Sequence, residues 1–180
     1  MHKKPTLQKY SQPSEPRRIL GLDPGLRLTG WGLIESSGNR LTHIAHGTIK
    51  VNTKQDLDLR LKDLFDGLSE VIRTLQPHEA AVEETFLNKN PSTTLKLGLA
   101  RGVVMVAPAT QGIRVGEYSA NHVKKTVVGA GHADKEQVKT MVNYLLPACG
   151  ELSYDEADAL AVAICHAHTL ETQQHWRVAS

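Results

Sequence analysis

The sequence has few of the residues that hold secreted or membrane-spanning proteins together. Its two cysteines, Cys149 and Cys165, do not have the number or spacing of a disulfide framework or a thiolate metal site. No uninterrupted apolar stretch approaches the roughly 20 residues that cross a bilayer. The first 16 residues are polar and lack the apolar core of a signal peptide. These absences predict a cytoplasmic globular protein with reduced thiols and no membrane association.

The sequence also has no excess of positive charge outside its first 16 residues. The formal net charge is +2. Residues 1–16 account for all of it, because they hold three lysines and one glutamate. The remainder is neutral, so net charge gives no support for nucleic-acid binding. Any site for a polyanion must therefore be a local cluster.

Composition divides the chain into three parts. Residues 1–16 contain three prolines and few apolar side chains, which predicts a flexible N-terminal extension. Residues 17–172 have the balance of apolar and charged side chains typical of one soluble domain. Residues 173–180 are predicted to form a C-terminal tail.

Hydrophobic periodicity predicts an α/β domain. The predicted strands cover 18–23, 28–35, 40–51, 79–85 and 113–117, and the predicted helices cover 56–75, 92–107, 119–128, 134–146 and 153–169. A turn at 36–39 joins the second and third strands as a hairpin. This order indicates a five-stranded mixed sheet, an antiparallel meander plus parallel strands, with helices on both faces.

A single carboxylate, Asp23, ends the first predicted strand. Pro24 and Gly25 follow at once and predict a turn, because proline fixes φ and glycine accepts positive φ. The strand is apolar on both faces, as a covered central strand is. An unpaired carboxylate at its end is costly. Backbone donors of the turn, a bound cation or a phosphate-binding role would each account for it.

A second carboxylate, Glu83, ends the fourth predicted strand. Side chains alternate along a strand, so the adjacent Glu84 points to the opposite face. Sites in open α/β sheets collect at the carboxyl ends of strands. Asp23 and Glu83 therefore lie side by side if their strands are neighbours. Taken alone, Glu83 is better explained as a rim carboxylate paired with a lysine.

Two further acids open the last helix. Ser153 and Glu156 have the spacing of a capping box, which places Asp155 in the first turn, where the helix dipole favours an acid. Asp158 precedes a long apolar run and requires a partner if the helix encloses it. Positions three apart share a helix face, so both aspartates can point to one place.

Four converging carboxylates repel one another unless divalent cations neutralise them. Oxygen ligands suit Mg²⁺ or Mn²⁺. Two such ions can clamp the attacking and leaving oxygens of an in-line phosphoryl displacement. A two-metal hydrolytic site is therefore one hypothesis that uses all four acids, although their spacing alone does not select it.

Five short motifs, in order along the chain, carry a resemblance to a known family. They lie at 19–25 with Thr29-Gly30, 81–83, 95–103, 123–129 and 155–161. They closely resemble the RuvC family of bacterial Holliday junction resolvases from about residue 18 to 169. The resemblance places the family's catalytic and metal-binding carboxylates on Asp23, Glu83, Asp155 and Asp158.

The resemblance also implies how such a protein acts. It implies an RNase H-like fold, a homodimer, and Mg²⁺-dependent paired nicks in four-way DNA junctions that leave 5′-phosphates. Two Mg²⁺ ions are expected in each site, with Mn²⁺ as a substitute. The setting would be homologous recombination and DNA repair, with the RuvA–RuvB branch-migration complex as a partner.

Two DNA-contact candidates lie in the loop after the fourth strand. Phe86 is an aromatic side chain in a polar loop three residues beyond Glu83. It can stack on an unpaired base at the junction centre or anchor the loop in the core, and the resemblance favours stacking. Lys89 in the same loop is a candidate contact to a phosphate or a base.

The local basic cluster that a neutral domain requires lies between 122 and 139. Lysines on helices usually form only a solvated face. The resemblance supports Lys124 and Lys135 as DNA contacts, whereas Lys125 and Lys139 have no such support. Phosphate contacts would make binding steeply salt-dependent.

Alternative interpretations remain at this point. An RNA-processing nuclease of the same fold would share Asp23, and a nucleotide-binding module of the actin and hexokinase type also has a strand ending in Asp-x-Gly. That module needs a duplicated domain, which this chain lacks. Gly98 and Gly102, four apart on a helix, allow close packing either across a dimer seam or on the sheet.

Overall fold

The computed structural model describes residues 15–84 and 90–179, which contain five strands and five helices. The strands are β1 (Arg17–Asp23), β2 (Leu28–Ser37), β3 (Arg40–Lys50), β4 (Glu79–Glu83) and β5 (Val115–Tyr118). The helices are α1 (Leu57–Leu75), α2 (Pro91–Thr110), α3 (Ala120–Val128), α4 (Lys135–Leu145) and α5 (Tyr154–Ala179). The predicted order is confirmed, although α5 continues well beyond its predicted end into the segment assigned to the tail. Within these two ranges, no helix combines the length and the apolar character needed to cross a membrane.

One sheet has the strand order β3-β2-β1-β4-β5. The pairs β1–β2 and β2–β3 are antiparallel, whereas β1–β4 and β4–β5 are parallel. The predicted mixed sheet is therefore confirmed. The central position of β1 explains why its residues are apolar on both faces.

Helices cover both faces of the sheet, as predicted. Leu20 and Leu22 of β1 point into a core formed with α1 and α2. Ile19 points the other way, into a core formed with α3, α4 and α5. These side chains are all essentially inaccessible to solvent. β1 therefore contributes side chains to the cores on both faces of the sheet.

Helix α5 lies directly on the sheet because three glycines leave room for its backbone. A Cβ atom at Gly21 would stand 2.0 Å from the carbonyl oxygen of Ala159. A Cβ atom at Gly30 would stand 2.1 Å from the carbonyl oxygen of Asp155. Gly32 makes the third close approach, against Leu160. We call Gly21, Gly30 and Gly32 the glycine seat.

The turn after Asp23 forms as predicted, but for a different reason. Gly25 does not have positive φ. A Cβ atom at this position would lie 2.1 Å from the carbonyl oxygen of Leu28. The Thr29 hydroxyl closes the turn by donating to the Gly25 carbonyl at 2.7 Å. Close approach, and not backbone conformation, therefore requires glycine here.

Gly98 and Gly102 do not pack on the sheet. A Cβ atom at either position would meet no atom of the described chain within 4 Å. The suggestion that these glycines seat α2 on the sheet is therefore wrong. The alternative, a seam between two copies, stays a prediction.

Candidate active site

Sheet topology places Asp23 and Glu83 next to each other. Strands β1 and β4 are parallel neighbours, and Leu22 is paired with Val82. The next residue on each strand is one of the two acids, so both lie at the same end of the sheet. Both are half-buried. The side-by-side arrangement expected for neighbouring strands is confirmed.

The N-terminus of α5 brings Asp155 and Asp158 to the same place. The predicted capping box is present: the Glu156 amide donates to Ser153 Oγ at 3.3 Å, and the Ser153 amide donates to Glu156 Oε2 at 2.7 Å. The glycine seat holds the first turn of α5 against β2, where Gly30 is paired with Asp23. The four carboxylates are therefore close enough to act on one another electrostatically.

Burial and mutual repulsion raise the pKa values of three of these acids. Burial raises the pKa of Asp23 to about 8, and the other three carboxylates add to the effect. Burial and then Asp158 raise the pKa of Glu83 to about 7. Burial also raises the pKa of Asp158. Shifts of this kind indicate that the carboxylates, when ionised, have too little positive charge around them.

Lys124 and Lys135 lie beside these carboxylates. Lys135 Nζ is 3.5 Å from Asp158 Oδ2, so the enclosed aspartate has the partner that its position required. Lys124 acts on Glu83 and Asp158 from α3. Both lysines therefore border the acidic cluster. Phe86 and Lys89 lie outside the described residues.

Tyr154 is a neighbour of the site that sequence reasoning missed. Lys139 Nζ lies 5.4 Å and Lys135 Nζ lies 6.0 Å from its ring centroid, within reach of cation–π attraction. Its hydroxyl donates to Glu136 on α4. The sequence feature that could have indicated this role is an aromatic residue immediately before Asp155. Tyr154 links Lys139, which the resemblance left unsupported, to the edge of the acidic cluster.

The donor set fits Mg²⁺ or Mn²⁺ by its chemistry. All four candidates offer carboxylate oxygens, the ligands that these hard cations prefer. Among the residues that the structure describes, no three His, Cys, Asp or Glu side chains are gathered closely enough to hold a metal ion. A bound dication would offset the repulsion between the ionised carboxylates.

The raised pKa of Asp23 predicts a pH-dependent stability. Its pKa rises from an ordinary value of 3.8 to about 8, so the folded state binds the proton more tightly than the unfolded state does. Without divalent ions, the free energy of unfolding should therefore fall as pH increases from about 4 to about 8, by a few kcal/mol. Urea denaturation at several pH values in EDTA measures the slope. A profile that is flat or rises through this window in EDTA would contradict the prediction, and added Mg²⁺ should restore stability at pH 8.

Comparisons with known proteins give one family. The family model for crossover junction endodeoxyribonuclease RuvC matches residues 19–166. The crossover junction endodeoxyribonuclease RuvC of Paramagnetospirillum magneticum is 59% identical over 157 residues, which cover 87% of this chain and 95% of the relative. The protein of the same name from Sinorhizobium medicae is 56% identical over 151 residues, which cover 84% of this chain and 90% of the relative.

Solved structures agree in fold. Thermus thermophilus RuvC in complex with a Holliday junction substrate has a TM-score of 0.81 and 29% identity, over 87% of this chain and 96% of that chain. The yeast mitochondrial Holliday junction resolvase Ydc2 has a TM-score of 0.62 at 15% identity, covering 89% of this chain and 83% of that chain. The second likeness concerns the fold alone. The expected RNase H-like fold is confirmed.

Proposed function

The chain belongs to the RuvC family of crossover junction endodeoxyribonucleases, and on that premise we propose that it resolves Holliday junctions by paired symmetrical nicks. The observation that carries the proposal is the convergence of four carboxylates and two lysines at one end of the sheet. The solved relative from Thermus thermophilus supports a four-way junction as the substrate, because its structure contains one. Membership of this family favours a nuclease over the nucleotide-binding alternative.

We assign metal binding and catalysis to Asp23, Glu83, Asp155 and Asp158. Two Mg²⁺ ions are expected in each site, with Mn²⁺ as a substitute. When bound, they would activate a water molecule for attack on a phosphodiester and stabilise the charge that develops. Two of the four acids come from strand ends, and two come from a helix fixed by the glycine seat. Because these strands and this helix are rigid, they hold the carboxylates in place before the substrate binds. The products would be a 5′-phosphate and a 3′-hydroxyl.

Lys124 and Lys135 would bind the DNA backbone next to the scissile phosphate. Lys135 is largely exposed on its side chain and is only loosely tied to Asp158. A phosphate entering the site can therefore take over that ammonium group as a partner. In the absence of DNA, the same charge eases the repulsion within the acidic cluster.

Removing the charge of Lys135 should weaken junction binding and lower its salt dependence. We expect Lys135→Gln to reduce the slope of log K against log salt by about 0.9, the share of one phosphate contact. Fluorescence anisotropy with a labelled junction, in Ca²⁺ at several salt concentrations, measures that slope. Lys62→Gln on α1 is the matched control, because Lys62 pairs with Asp66 on the other side of the sheet. Equal slopes for the two variants would remove Lys135 from the DNA contacts.

Paired nicks require two sites, and α2 offers the seam for a homodimer. Leu95, Leu99 and Val106 are 68%, 39% and 51% exposed, although all three are apolar. Gly98 and Gly102 lie among them at spacings of three and four, on one face of the helix. A second copy of α2 can approach closely over these glycines, since no described atom fills the space beside them.

A charge on this face should separate the two copies. We expect Leu95→Glu to change the chain from dimer to monomer in sedimentation velocity, and to replace paired nicks with rare single ones. Tyr144→Glu is the control, because Tyr144 is 79% exposed on α4 and lies away from α2. A Leu95→Glu protein that stays dimeric would place the seam elsewhere.

We place the proposed activity in the cytoplasm, in homologous recombination and DNA repair. The RuvA–RuvB branch-migration complex is the expected partner. A resolvase can cut only junctions that another activity has formed and moved, so a helicase of this kind belongs upstream of it.

One assay tests the proposed function as a whole. A mobile four-way junction, a linear duplex and an RNA hairpin are each incubated with the protein in Mg²⁺ or in Ca²⁺. We expect symmetrical nicks in the junction only, in Mg²⁺ only, with ends that DNA ligase reseals. Equal cutting of the duplex, or no paired nicks, would defeat the proposal. Cutting of the hairpin alone would favour the RNA-processing alternative.

A further inference from the structure

Two histidine rings meet on the edge strand β3 and are not part of the acidic cluster. His43 Nε2 lies 2.9 Å from His46 Nδ1. The ring centroids are 5.0 Å apart and the ring planes are inclined by 47°. Both residues are half-buried. None of the roles proposed above uses this pair.

A β-bulge puts both rings on one face of the sheet. Residues three apart on a regular strand point to opposite faces. Here the register between β2 and β3 shifts, so that Leu33 pairs with Ala45 and Ile34 pairs with His43. Ile44 is the extra residue, and it is exposed to solvent. Bulges often re-aim a side chain in this way beside a functional site.

The face that the two histidines share is the one covered by α5. His46 is paired with Gly32 and His43 with Ile34. Gly32 is part of the glycine seat, and Ile34 lies in the core beneath α5. The ring pair therefore lies between the sheet edge and the first turns of the helix that carries Asp155.

From this geometry we propose that His43 and His46 form a binding site for a borderline divalent cation of the zinc class. Two imidazole nitrogens bound to one zinc ion at about 2.0–2.1 Å, in a tetrahedral or right-angled arrangement, lie about 2.9–3.4 Å apart. The observed separation is within that range. In the free protein the two nitrogens are at hydrogen-bond distance, with one ring as donor and the other as acceptor. A bound cation would displace the proton between them.

The surroundings favour a cation. Burial and the neighbouring ring lower the pKa of His43, which keeps imidazole lone pairs available near neutral pH. The Glu156 carboxylate is close enough for His46 to act on it electrostatically. That acid is held in place by the Ser153 amide at 2.7 Å. A fixed negative charge beside two neutral nitrogens lowers the cost of placing a dication there.

Ligand type separates this site from the carboxylate cluster. Imidazole nitrogens suit Zn²⁺, Cu²⁺ and Ni²⁺, whereas carboxylate oxygens suit Mg²⁺ and Mn²⁺. Two protein ligands leave the remaining coordination positions to water or an external group. Excess Mg²⁺ should therefore leave binding at the histidine pair intact.

Zinc titration of the full chain by calorimetry, in excess Mg²⁺, tests the proposal. We expect one site of micromolar affinity per chain, weakened at least tenfold by His43→Gln or by His46→Gln. His132→Gln is the control, because His132 is an exposed histidine on another part of the domain. Electron paramagnetic resonance of the Cu²⁺-bound protein should show two nitrogen ligands. Unchanged zinc affinity in both variants would overturn the proposal.

A second measurement requires no variant and so does not depend on the folding of one. Diethyl pyrocarbonate modifies accessible imidazoles, and peptide mapping gives the extent at each histidine. Zn²⁺ should protect His43 and His46 and leave His132 unprotected. Equal modification of the pair with and without Zn²⁺ would also overturn the site.

Discussion

Replacing Asp23 with asparagine should lower junction cleavage by about 10³-fold or more, with junction binding in Ca²⁺ nearly unchanged. Asp23 is the acid on which the other three carboxylates all act. Its loss removes a ligand charge from the proposed metal site, and metal ions contribute several kcal/mol of charge stabilisation to such reactions. About 4 kcal/mol of that contribution corresponds to a thousandfold change in rate. Single-turnover cleavage of a labelled junction measures it.

The same substitution should make the metal-free protein more stable. The asparagine side chain would carry no charge, so the cost of an ionised acid with a pKa of about 8 disappears at higher pH. We expect a higher free energy of unfolding at pH 8 in EDTA, together with a flatter pH profile. A variant that is more stable and inactive separates a functional acid from a structural one.

Glu84→Gln is the matched control for Asp23. Glu84 directly follows Glu83 at the end of β4 and is exposed. Its replacement should change neither cleavage nor the pH profile. Cleavage retained by Asp23→Asn, or lost equally in Glu84→Gln, would remove Asp23 from the proposed centre.

Substituting Gly21 with alanine should destabilise the domain by about 3 kcal/mol or more, at the upper end of the cost of overpacking a core. The added Cβ atom would stand 2.0 Å from one backbone oxygen and 2.6 Å from a backbone nitrogen of α5. Backbone atoms cannot rotate away as a flexible side chain does. The whole helix would have to rise from the sheet, and the core beneath it would open.

Equilibrium urea denaturation measures the loss. Gly131→Ala is the control, because a Cβ atom there would have its nearest neighbour, the Asn121 carbonyl oxygen, at an ordinary 3.6 Å. We expect that control to stay within about 1 kcal/mol of the parent chain. A Gly21→Ala protein of parental stability would show that α5 can shift without cost.

Local patterns predicted the elements and the ends of strands where the acids lie. An apolar run that stops at Asp23, and another that stops at Glu83, placed both carboxylates before any strand order was known. The capping box at Ser153 fixed the start of α5 to within a residue. These features depend on neighbours in sequence, which explains their success.

Features that depend on distant residues were not predictable in the same way. The glycine seat becomes visible only when α5 lies on β1 and β2, because glycine spacing within one strand does not show what it faces. The contact between Lys135 and Asp158 joins two helices. The His43–His46 pair depends on one extra residue in the ladder between β2 and β3. Phe86 and Lys89 stay predictions.

The glycine seat also sets an order in which the proposed active site can form during synthesis. Asp23 leaves the ribosome early, whereas Asp155 and Asp158 belong to the last helix and reach the sheet only when that helix docks on it. A nascent chain that lacks α5 holds two of the four acids and no complete centre. The proposed centre therefore cannot be complete until α5 has been synthesised and has docked on β1 and β2.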